Sequence, residues 1–341
     1  MREGPDQDEV VASLRRLGLV AAGETPLLQP LAGGVSADVF LTTLRDGRRM
    51  AVKRSIPRLR VQAEWLASPE RMTSEVRWLR FVHHLDPDRA PAVIADDPVG
   101  HVVVMAWLDP DDHPVWKDEL AAGRVSTAFA AAVGTAFGQI HRSTAGDAAV
   151  AAAFPDRSAF FDLRISPFLL WPAERAPRVS ERLRELAARL ETARIALTHG
   201  DMSPKNILVG PHGPVFLDAE TCVFGDPAFD LAFCLTHLLL KTVWLKPHRE
   251  ALDRAFDALL EAYAVLVDWE RVEVLRRRAG GLISALLLAR VEGKSPAPYL
   301  VEAQDRGFVA DAAVDLLGRG DIDPADLAQH WRRRWTQAFA R

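Results

Sequence analysis

The pattern of apolar residues changes its period near residue 107, and this change constrains the fold more than any other feature. From Leu27 to about Met105, short apolar runs are separated by turn-forming residues, with one helical stretch among them. Turn-forming residues occupy 107–112, and helical spacing dominates downstream. A chain of 341 residues is long enough for two packed cores. We therefore expect an α+β chain, with a small antiparallel-sheet lobe at residues 1–107 and a larger, mainly helical lobe at residues 108–341.

The first lobe carries a predicted hairpin that ends in a lysine. Residues 39–44 and 50–53 form its apolar strands, the turn contains Asp46-Gly47, and Lys53 ends the second strand. Apolar residues at helical spacing follow between 69 and 83, on a segment that carries Glu75. We expect Glu75 to pair with Lys53. The nearby Glu64 and Glu70 stay open as alternatives, because the choice depends on the phase of the helix.

A glycine-containing loop precedes this hairpin. Residues 31–40 (LAGGVSADVF) join two predicted strands. Gly33 and Gly34 permit close approach of the backbone to phosphate groups, and Ser36 follows them. Lys53 lies on the second strand after the loop, where it can reach the same phosphates. We therefore predict Gly33, Gly34, Ser36, Lys53 and Glu75 as residues of a nucleotide site.

The segment 198–206 (THGDMSPKN) carries the strongest chemical signal in the chain. It places Asp201 five residues before Asn206, the spacing at which kinases use the aspartate to orient the attacking hydroxyl and the asparagine to hold magnesium. A predicted hairpin then returns Asp218 and Glu220 beside Asn206. Magnesium prefers oxygen ligands and keeps water and phosphate in its shell. We predict Asp201 as the catalytic residue, and Asn206, Asp218 and Glu220 as magnesium ligands.

These motifs, in this order, give the chain a family resemblance. Residues 199–206 with Asp218 resemble the aminoglycoside phosphotransferase and small-molecule kinase group, which has the protein-kinase-like two-lobed fold and reads His-Gly-Asp in its catalytic loop. Residues 218–220 are similar to the Asp-x-Glu of 5-methylthioribose kinases, whereas residues 202–206 follow the general phosphotransferase pattern. The resemblance covers roughly residues 31–230. It implies that Asp230 braces the catalytic loop by hydrogen bonding.

The resemblance implies an enzyme that uses ATP and Mg²⁺ to phosphorylate a hydroxyl group of a small molecule. ATP is expected between the lobes, with its adenine near residues 105–108. A sugar such as methylthioribose is the first expectation for the acceptor. The alternative within the enzyme class is antibiotic inactivation, in which a cationic aminoglycoside requires a carboxylate-rich pocket. The acidic residues available for such a pocket are Asp109, Asp111, Asp112, Asp118 and Glu119.

A different alternative is a regulator that binds nucleotide without turnover, in the manner of a pseudokinase. Every position expected to be catalytic carries the required residue type, which argues against this alternative. Activity on an acceptor is the observation that separates the two.

The charge and the hydropathy of the chain argue against polyanionic and membrane partners. The 42 Lys and Arg residues against 46 Asp and Glu residues give a net charge of −4, which provides no positive field for nucleic acid. No stretch approaches the roughly 18 apolar residues of a membrane span, and residues 1–10 lack the apolar core of a signal peptide. We expect a cytoplasmic protein, monomeric or homodimeric. Cys222 and Cys234 match no metal or redox spacing and are predicted to be core cysteines.

Several polar residues outside these motifs are predicted to be structural. The arginine runs 276–278 and 332–334 are expected on solvated helix faces. Ser180 is expected to cap a helix in which Glu185 and Arg189 form an i,i+4 pair. For Arg290, which follows the apolar residues 282–289, a contact with the acceptor stays open, and bonds to the last carbonyls of its helix are favoured.

Overall fold

The first part of the chain forms an antiparallel sheet, as its alternating pattern predicts. A computed structural model describes residues 7–31, 36–60 and 65–339, so that Gly33, Gly34 and Glu64 lie outside the described residues. The strands are β1 (Leu27–Pro30), β2 (Ala37–Thr43), β3 (Arg49–Ser55), β4 (Val93–Asp97), β5 (Val102–Ala106), β6 (Ala196–Thr198), β7 (Ile207–Gly210), β8 (Gly213–Phe216) and β9 (Val223–Gly225). The five-stranded sheet has the order β1-β2-β3-β5-β4, and β6 with β9 and β7 with β8 form two-stranded ribbons.

Helices dominate the chain after β5, which confirms the α+β class. Short 3₁₀ turns lie at Pro177–Val179, Pro204–Asn206 and Lys246–His248. The helices are α1 (Gln7–Arg16), α2 (Arg71–Leu85), α3 (Trp116–Ala121), α4 (Thr127–Thr144), α5 (Ala148–Ala153), α6 (Ser158–Phe160), a π-helix (Phe161–Leu170), α7 (Trp171–Ala173), α8 (Ser180–Thr192), α9 (Ala228–Trp244), α10 (Arg249–Ala264), α11 (Val272–Glu292), α12 (Ala303–Gly318) and α13 (Pro324–Phe339).

Strand β5 is buried on both faces, and its alternating side chains enter two different cores. Val102 and Val104 pack in a cluster with α1, on one face of the sheet. Val103 and Met105 belong to a much larger cluster that passes through α2 into the helices of the second part. The sheet is therefore held between α1 and the rest of the molecule. The division of the chain at residue 107 stays a prediction.

Helix α9 is apolar on all sides and is buried from Ala228 to Val243. A helix with this composition belongs at the centre of a core. Its ionisable residues are therefore unusual, and the spacing of Asp230, His237 and Lys241 places these three side chains on one face. Within the described residues, no single helix is long and apolar enough to cross a membrane; α9 passes that test only together with residues 246–264, at a bend of 118°.

The first arginine run is not the solvated face that we expected. Arg276 pairs with Asp323 at 2.8 Å and Arg278 pairs with Asp226 at 2.9 Å, and the two arginine side chains are only 16% and 19% exposed. Arg277 between them is exposed. The prediction was wrong for Arg276 and Arg278 because carboxylates from distant segments meet this flank of α11, and a run of like charges does not reveal such partners.

Helix α8 begins differently from the prediction. The 3₁₀ turn Pro177–Val179 continues directly into the helix, so Ser180 has helical backbone angles (φ −57°, ψ −48°) and does not cap it. The expected pair between Glu185 and Arg189 is present. Cys222 and Cys234 are free and buried, which confirms them as core cysteines.

Candidate active site

Lys53 and Glu75 form a buried ion pair beneath the sheet. Lys53 lies on β3 opposite Val103 of β5, and its Nζ donates to both carboxylate oxygens of Glu75, at 2.8 and 2.7 Å. Burial lowers the pKa of Lys53, but Asp218 and Glu75 more than offset this and raise it above its usual value. Glu70 is exposed at the start of α2. The helix phase therefore selects Glu75, as predicted.

The loop that follows β6 carries Asp201, and Asp230 fixes its backbone. The Asp230 carboxylate is fully buried and accepts hydrogen bonds from the backbone amides of His199 and Gly200, at 2.7 and 2.8 Å. Gly200 has a φ of +80°, and a Cβ there would collide with the carbonyl oxygen of Thr221. The loop conformation thus requires glycine at this position. The expected bracing role of Asp230 is confirmed.

His199 ties this loop to the end of β8. Its Nδ1 accepts from the backbone amide of Asp201 at 3.1 Å, so its proton lies on Nε2, which donates to the carbonyl of Leu217 at 3.0 Å. Burial lowers the pKa of His199, in agreement with this neutral ring. The ring links the backbone of Asp201 to the residue that precedes Asp218.

Two cations hold the carboxylate of Asp201. Arg164 Nη2 lies 2.9 Å from Asp201 Oδ2, and Lys205 Nζ lies 3.0 Å from the same oxygen. Burial alone raises the pKa of Asp201, and the charges of Arg164 and Lys205 more than compensate, so the pKa lies below its ordinary value. Asp201 is therefore an ionised hydrogen-bond acceptor at neutral pH. The sequence pattern indicated neither cation as a partner of Asp201, although Lys205 lies inside the motif, at i+4 from Asp201.

The hairpin of β7 and β8 brings Asp218 back beside Asn206, as predicted. The backbone amide of Leu217 donates to the carbonyl of Asn206 at 2.9 Å. Asp218 follows with a φ of +67°, a conformation that aspartate tolerates better than most residues, and its carboxylate pairs with Lys53. Burial raises the pKa of Asp218, but the charge of Lys53 outweighs this and lowers it below its ordinary value.

The oxygen atoms near Asp218 fit a divalent cation. Carboxylate oxygens of Glu75, Asp218 and Glu220 lie within 4.8 Å of one another. Asn206 donates through Nδ2 to the carbonyl of Asp201 at 3.0 Å, which leaves its Oδ1 available as a ligand. Arg71 Nε donates to one oxygen of Glu220 at 2.8 Å and leaves the other. Such a set of oxygen donors suits Mg²⁺, and the three ligand assignments stay predictions.

A cavity of about 620 Å³ opens beside Asp201 and lies within the usual size range of small-molecule sites. Ser36 borders it, and the carbonyl of Ser36 accepts from Arg71 Nη2 at 2.6 Å. The other wall carries aromatic and basic side chains from α9, α11 and the segment after α11, among them Phe233, Lys241 and Arg290. Arg290 thus faces the cavity, and it also donates to the carbonyl of Ser295 at 2.6 Å.

The acidic residues offered for a cationic acceptor do not line this cavity. Asp109 is half exposed and pairs with Arg49 at 2.8 Å, and Glu119 pairs with Arg124 at 2.6 Å. Neither these two nor Asp111, Asp112 and Asp118 belong to the lining residues. The expectation was wrong because the segment 109–119 packs beside the cavity and presents Lys117 to it, not its carboxylates.

Three features define a protein-kinase-like phosphotransferase: the sheet with its buried lysine–glutamate pair, the braced aspartate loop and the carboxylate cluster. Residues 27–275 match the model of the phosphotransferase enzyme family (APH), and the chain belongs to this family. It is therefore a small-molecule phosphotransferase enzyme. The family assignment confirms the resemblance seen in the sequence.

Solved structures at low sequence identity share the fold. Amicoumacin kinase hAmiN, in complex with AMP-PNP, Ca²⁺ and Ami, has a TM-score of 0.60 at 16% identity, over 94% of this chain and 97% of its own. A choline/ethanolamine kinase family protein from Mesorhizobium loti gives 0.53 at 18%, over 96% and 98%. Macrolide 2′-phosphotransferase MphH from Brachybacterium faecium gives 0.50 at 22%, over 90% and 98%. No curated protein sequence matches the chain.

Proposed function

We propose that this enzyme transfers the γ-phosphoryl group of ATP to a hydroxyl group of a small molecule, with Mg²⁺ as the divalent cation. The observation that carries this proposal is the joint placement of Lys53, Glu75, Asp201, Asn206 and Asp218 around one site. The binding of AMP-PNP and Ca²⁺ by amicoumacin kinase, which shares the fold, supports a nucleotide and a divalent cation here. A sugar acceptor is the first expectation, and an antibiotic acceptor is the alternative.

Each residue has a defined task in this proposal. Lys53, held by Glu75, contacts the α and β phosphates, and Asn206 and Asp218 hold the cation. Magnesium held there would neutralise the negative charge of the phosphate groups. Asp201 accepts a hydrogen bond from the acceptor hydroxyl and aims its oxygen at the γ-phosphorus. The new oxygen–phosphorus bond forms as the bond to the bridging oxygen breaks and ADP leaves, and the proton of the acceptor hydroxyl is released to water once the new bond has formed.

The low pKa of Asp201 suits this orienting task. In a loose transition state the attacking oxygen has formed little bond to phosphorus, so its proton remains largely in place until late in the reaction. A carboxylate that stays ionised serves as a permanent acceptor, and the pairing with Arg164 and Lys205 maintains that state. Arg164 acts on the reaction through Asp201 and is a positioning residue.

The test is an ADP-release assay with Mg-ATP over sugars, amino sugars, aminoglycosides, macrolides and choline. Wild type and Asp201→Asn are compared with Asp311→Asn, a control at an exposed position of α12. We expect one acceptor class to support turnover, with Asp201→Asn at least about 100-fold slower and still able to bind AMP-PNP. Equal turnover in wild type and Asp201→Asn would refute the role of Asp201. Binding of ATP with no turnover on any acceptor would instead favour the regulator.

A further inference from the structure

The described wall of the cavity beside Asp201 carries more basic than acidic side chains, the reverse of what a cationic acceptor needs. Among the described lining residues, the carboxylates are Asp201, Asp218 and Glu220. All three are already paired, with Arg164 and Lys205, with Lys53, and with Arg71 respectively. Of the other cations that line the cavity, Arg60 pairs with Asp38 and Lys117 lies 3.5 Å from Asp118. Lys241, Arg290 and Lys294 have no ion pair among the described residues.

Lys241 is the most informative of these cations. It is 1% exposed on the buried helix α9, and no hydrogen bond or ion pair holds its ammonium group among the described residues. Its contacts are with aromatic rings, because Nζ lies 5.0 Å from the ring centre of Trp244 and 4.9 Å from that of Tyr299. A buried charge without a counter-charge is costly, and such groups are concentrated at functional sites.

Arg290 adds a second incompletely satisfied cation. Its Nη1 donates to Ser295, whereas its Nε is buried without a partner. The guanidinium also packs over the ring of Phe168 at 5.8 Å. A guanidinium presents a planar fork of donors that matches a carboxylate or a phosphate. Arg290 therefore adds a second cation with an unused hydrogen-bond donor to the cavity that Lys241 also lines.

The charges of Lys241 and Arg290 both act on the ring of His237. His237 lies between Lys241 and Asp230 on the same face of α9, and its ring borders the cavity. Burial lowers the pKa of His237 well below its ordinary value, and the charges of Arg290 and Lys241 lower it further. The ring therefore stays neutral and provides a hydrogen-bonding group for a hydroxyl. The positive charge around it favours the binding of an anion.

We infer that the acceptor carries an anionic group, a carboxylate or a phosphate monoester, in addition to the hydroxyl that is phosphorylated, and that Lys241, which lines the cavity together with Arg290, binds this group. This inference rests on the proposed function and narrows the substrate class of the same site. Phe168 and Phe233 provide apolar faces for the carbon skeleton. Lys294, over the rings of Trp65 and Trp171, adds positive charge to the same wall.

The test uses three six-carbon polyols that differ only at carbon 1: D-gluconate, D-glucitol and 1-amino-1-deoxy-D-glucitol. They are anionic, neutral and cationic at neutral pH. Glucose 6-phosphate and glucose form a second pair, which distinguishes a phosphate from a carboxylate. ADP release is measured with Mg-ATP, and binding is measured by calorimetry on Asp201→Asn saturated with Mg-AMP-PNP. The binding measurement does not require that any of these compounds be turned over.

We expect the anionic member of each set to bind, or to react in kcat/KM, about 10- to 100-fold better than its neutral counterpart, the range of one or two charged hydrogen bonds. Lys241→Met should abolish this preference and Lys241→Arg should retain it. Arg277→Gln, at an exposed position of the helix that carries Arg290, is the control and should leave the preference unchanged.

Three results would overturn the inference: equal or better binding of the neutral or cationic polyols, an unchanged preference in Lys241→Met, or no binding of either anionic compound by protein that binds AMP-PNP. Failure of the proposed function has a different signature. In that case the wild type fails to bind AMP-PNP, or releases no ADP with any hydroxyl compound, whatever the anion preference in the binding measurement.

Discussion

Replacing Lys241 with methionine is expected to stabilise the folded protein. Burial, together with the charge of Lys117, lowers the pKa of Lys241 from 10.5 to about 8. Each pH unit of that displacement corresponds to about 1.4 kcal/mol, so the charged ammonium costs the fold on the order of 3 kcal/mol at neutral pH. The contacts with Trp244 and Tyr299 return about 1 to 2 kcal/mol. Methionine has similar length and no charge, and we expect a net gain of about 1 to 2 kcal/mol.

This stabilisation should depend on pH in a defined direction. Below the folded pKa of about 8, Lys241 is charged in both the folded and the unfolded chain, and the fold bears the whole cost. As the pH rises from about 8 toward 10.5, the folded lysine loses its proton first and the cost declines. The groups facing Lys241 are Lys117 and Asp118 of α3, Trp244 and Tyr299. The advantage of Lys241→Met should therefore shrink across this window.

The assay is urea unfolding followed by tryptophan fluorescence, at about pH 7 and about pH 10. The midpoint of Lys241→Met should lie above that of wild type at the lower pH, with an unchanged slope, and the two should converge at the higher pH. Arg277→Gln serves as the control for the loss of a helix charge. A lower midpoint for Lys241→Met at neutral pH would show that Lys241 supports the fold, and would remove the argument that its charge is kept for a ligand.

Two further substitutions test the catalytic loop. Gly200→Ala forces a side chain into a positive-φ position against the carbonyl of Thr221. We therefore expect a loss of about 1 to 3 kcal/mol of stability and reduced turnover, measured by urea unfolding and ADP release. Wild-type stability in this variant would contradict the requirement for glycine. Arg164→Met removes a charge that offsets burial at Asp201, so the pKa of Asp201 rises and the acidic limb of the kcat/KM profile should move to higher pH. An unmoved limb would show that Arg164 does not lower the pKa of Asp201.

The parts of the site that were predictable are encoded by short-range patterns. The hairpin that ends in Lys53 follows from strand alternation and an Asp-Gly turn, and its register places Lys53 opposite Val39. The phase of α2 then leaves Glu75 on the buried side and Glu70 outside. The spacing of Asp201 and Asn206 is a property of one loop. In each case the pattern lies within one hairpin, one helix or one loop, so local geometry determines it.

The parts that were missed depend on contacts between distant segments. Arg164 reaches Asp201 from the π-helix, 37 residues earlier in the chain, and nothing in its neighbourhood marks it. Asp323, which pairs with Arg276, and Asp226, which pairs with Arg278, lie 47 and 52 residues away, whereas Glu270, a second partner of Arg278, lies 8 residues away. The acidic stretch at 109–119 was expected to line an acceptor pocket because of its negative charge. In the structure, this stretch presents Lys117 to the cavity. A charged residue in a sequence predicts a solvated surface position only when the fold brings no oppositely charged residue from a distant segment to it.

The position of Lys241 is indicated in the sequence by the spacing of ionisable residues, which the composition of the segment does not show. In the apolar stretch of α9, the ionisable residues Asp230, His237 and Lys241 recur at intervals of seven and four, which is one face of a helix. The first of them braces the catalytic loop, and the other two line the cavity beside Asp201. A single helix thus connects the loop proposed to orient the attacking hydroxyl to the charges proposed to hold the acceptor. Because both ends share that helix, the separation between the reactive hydroxyl and the anionic group should be a selective property of the acceptor. Carboxylic acids with a single hydroxyl at a longer or shorter distance from the carboxylate should bind the cations without placing that hydroxyl at Asp201.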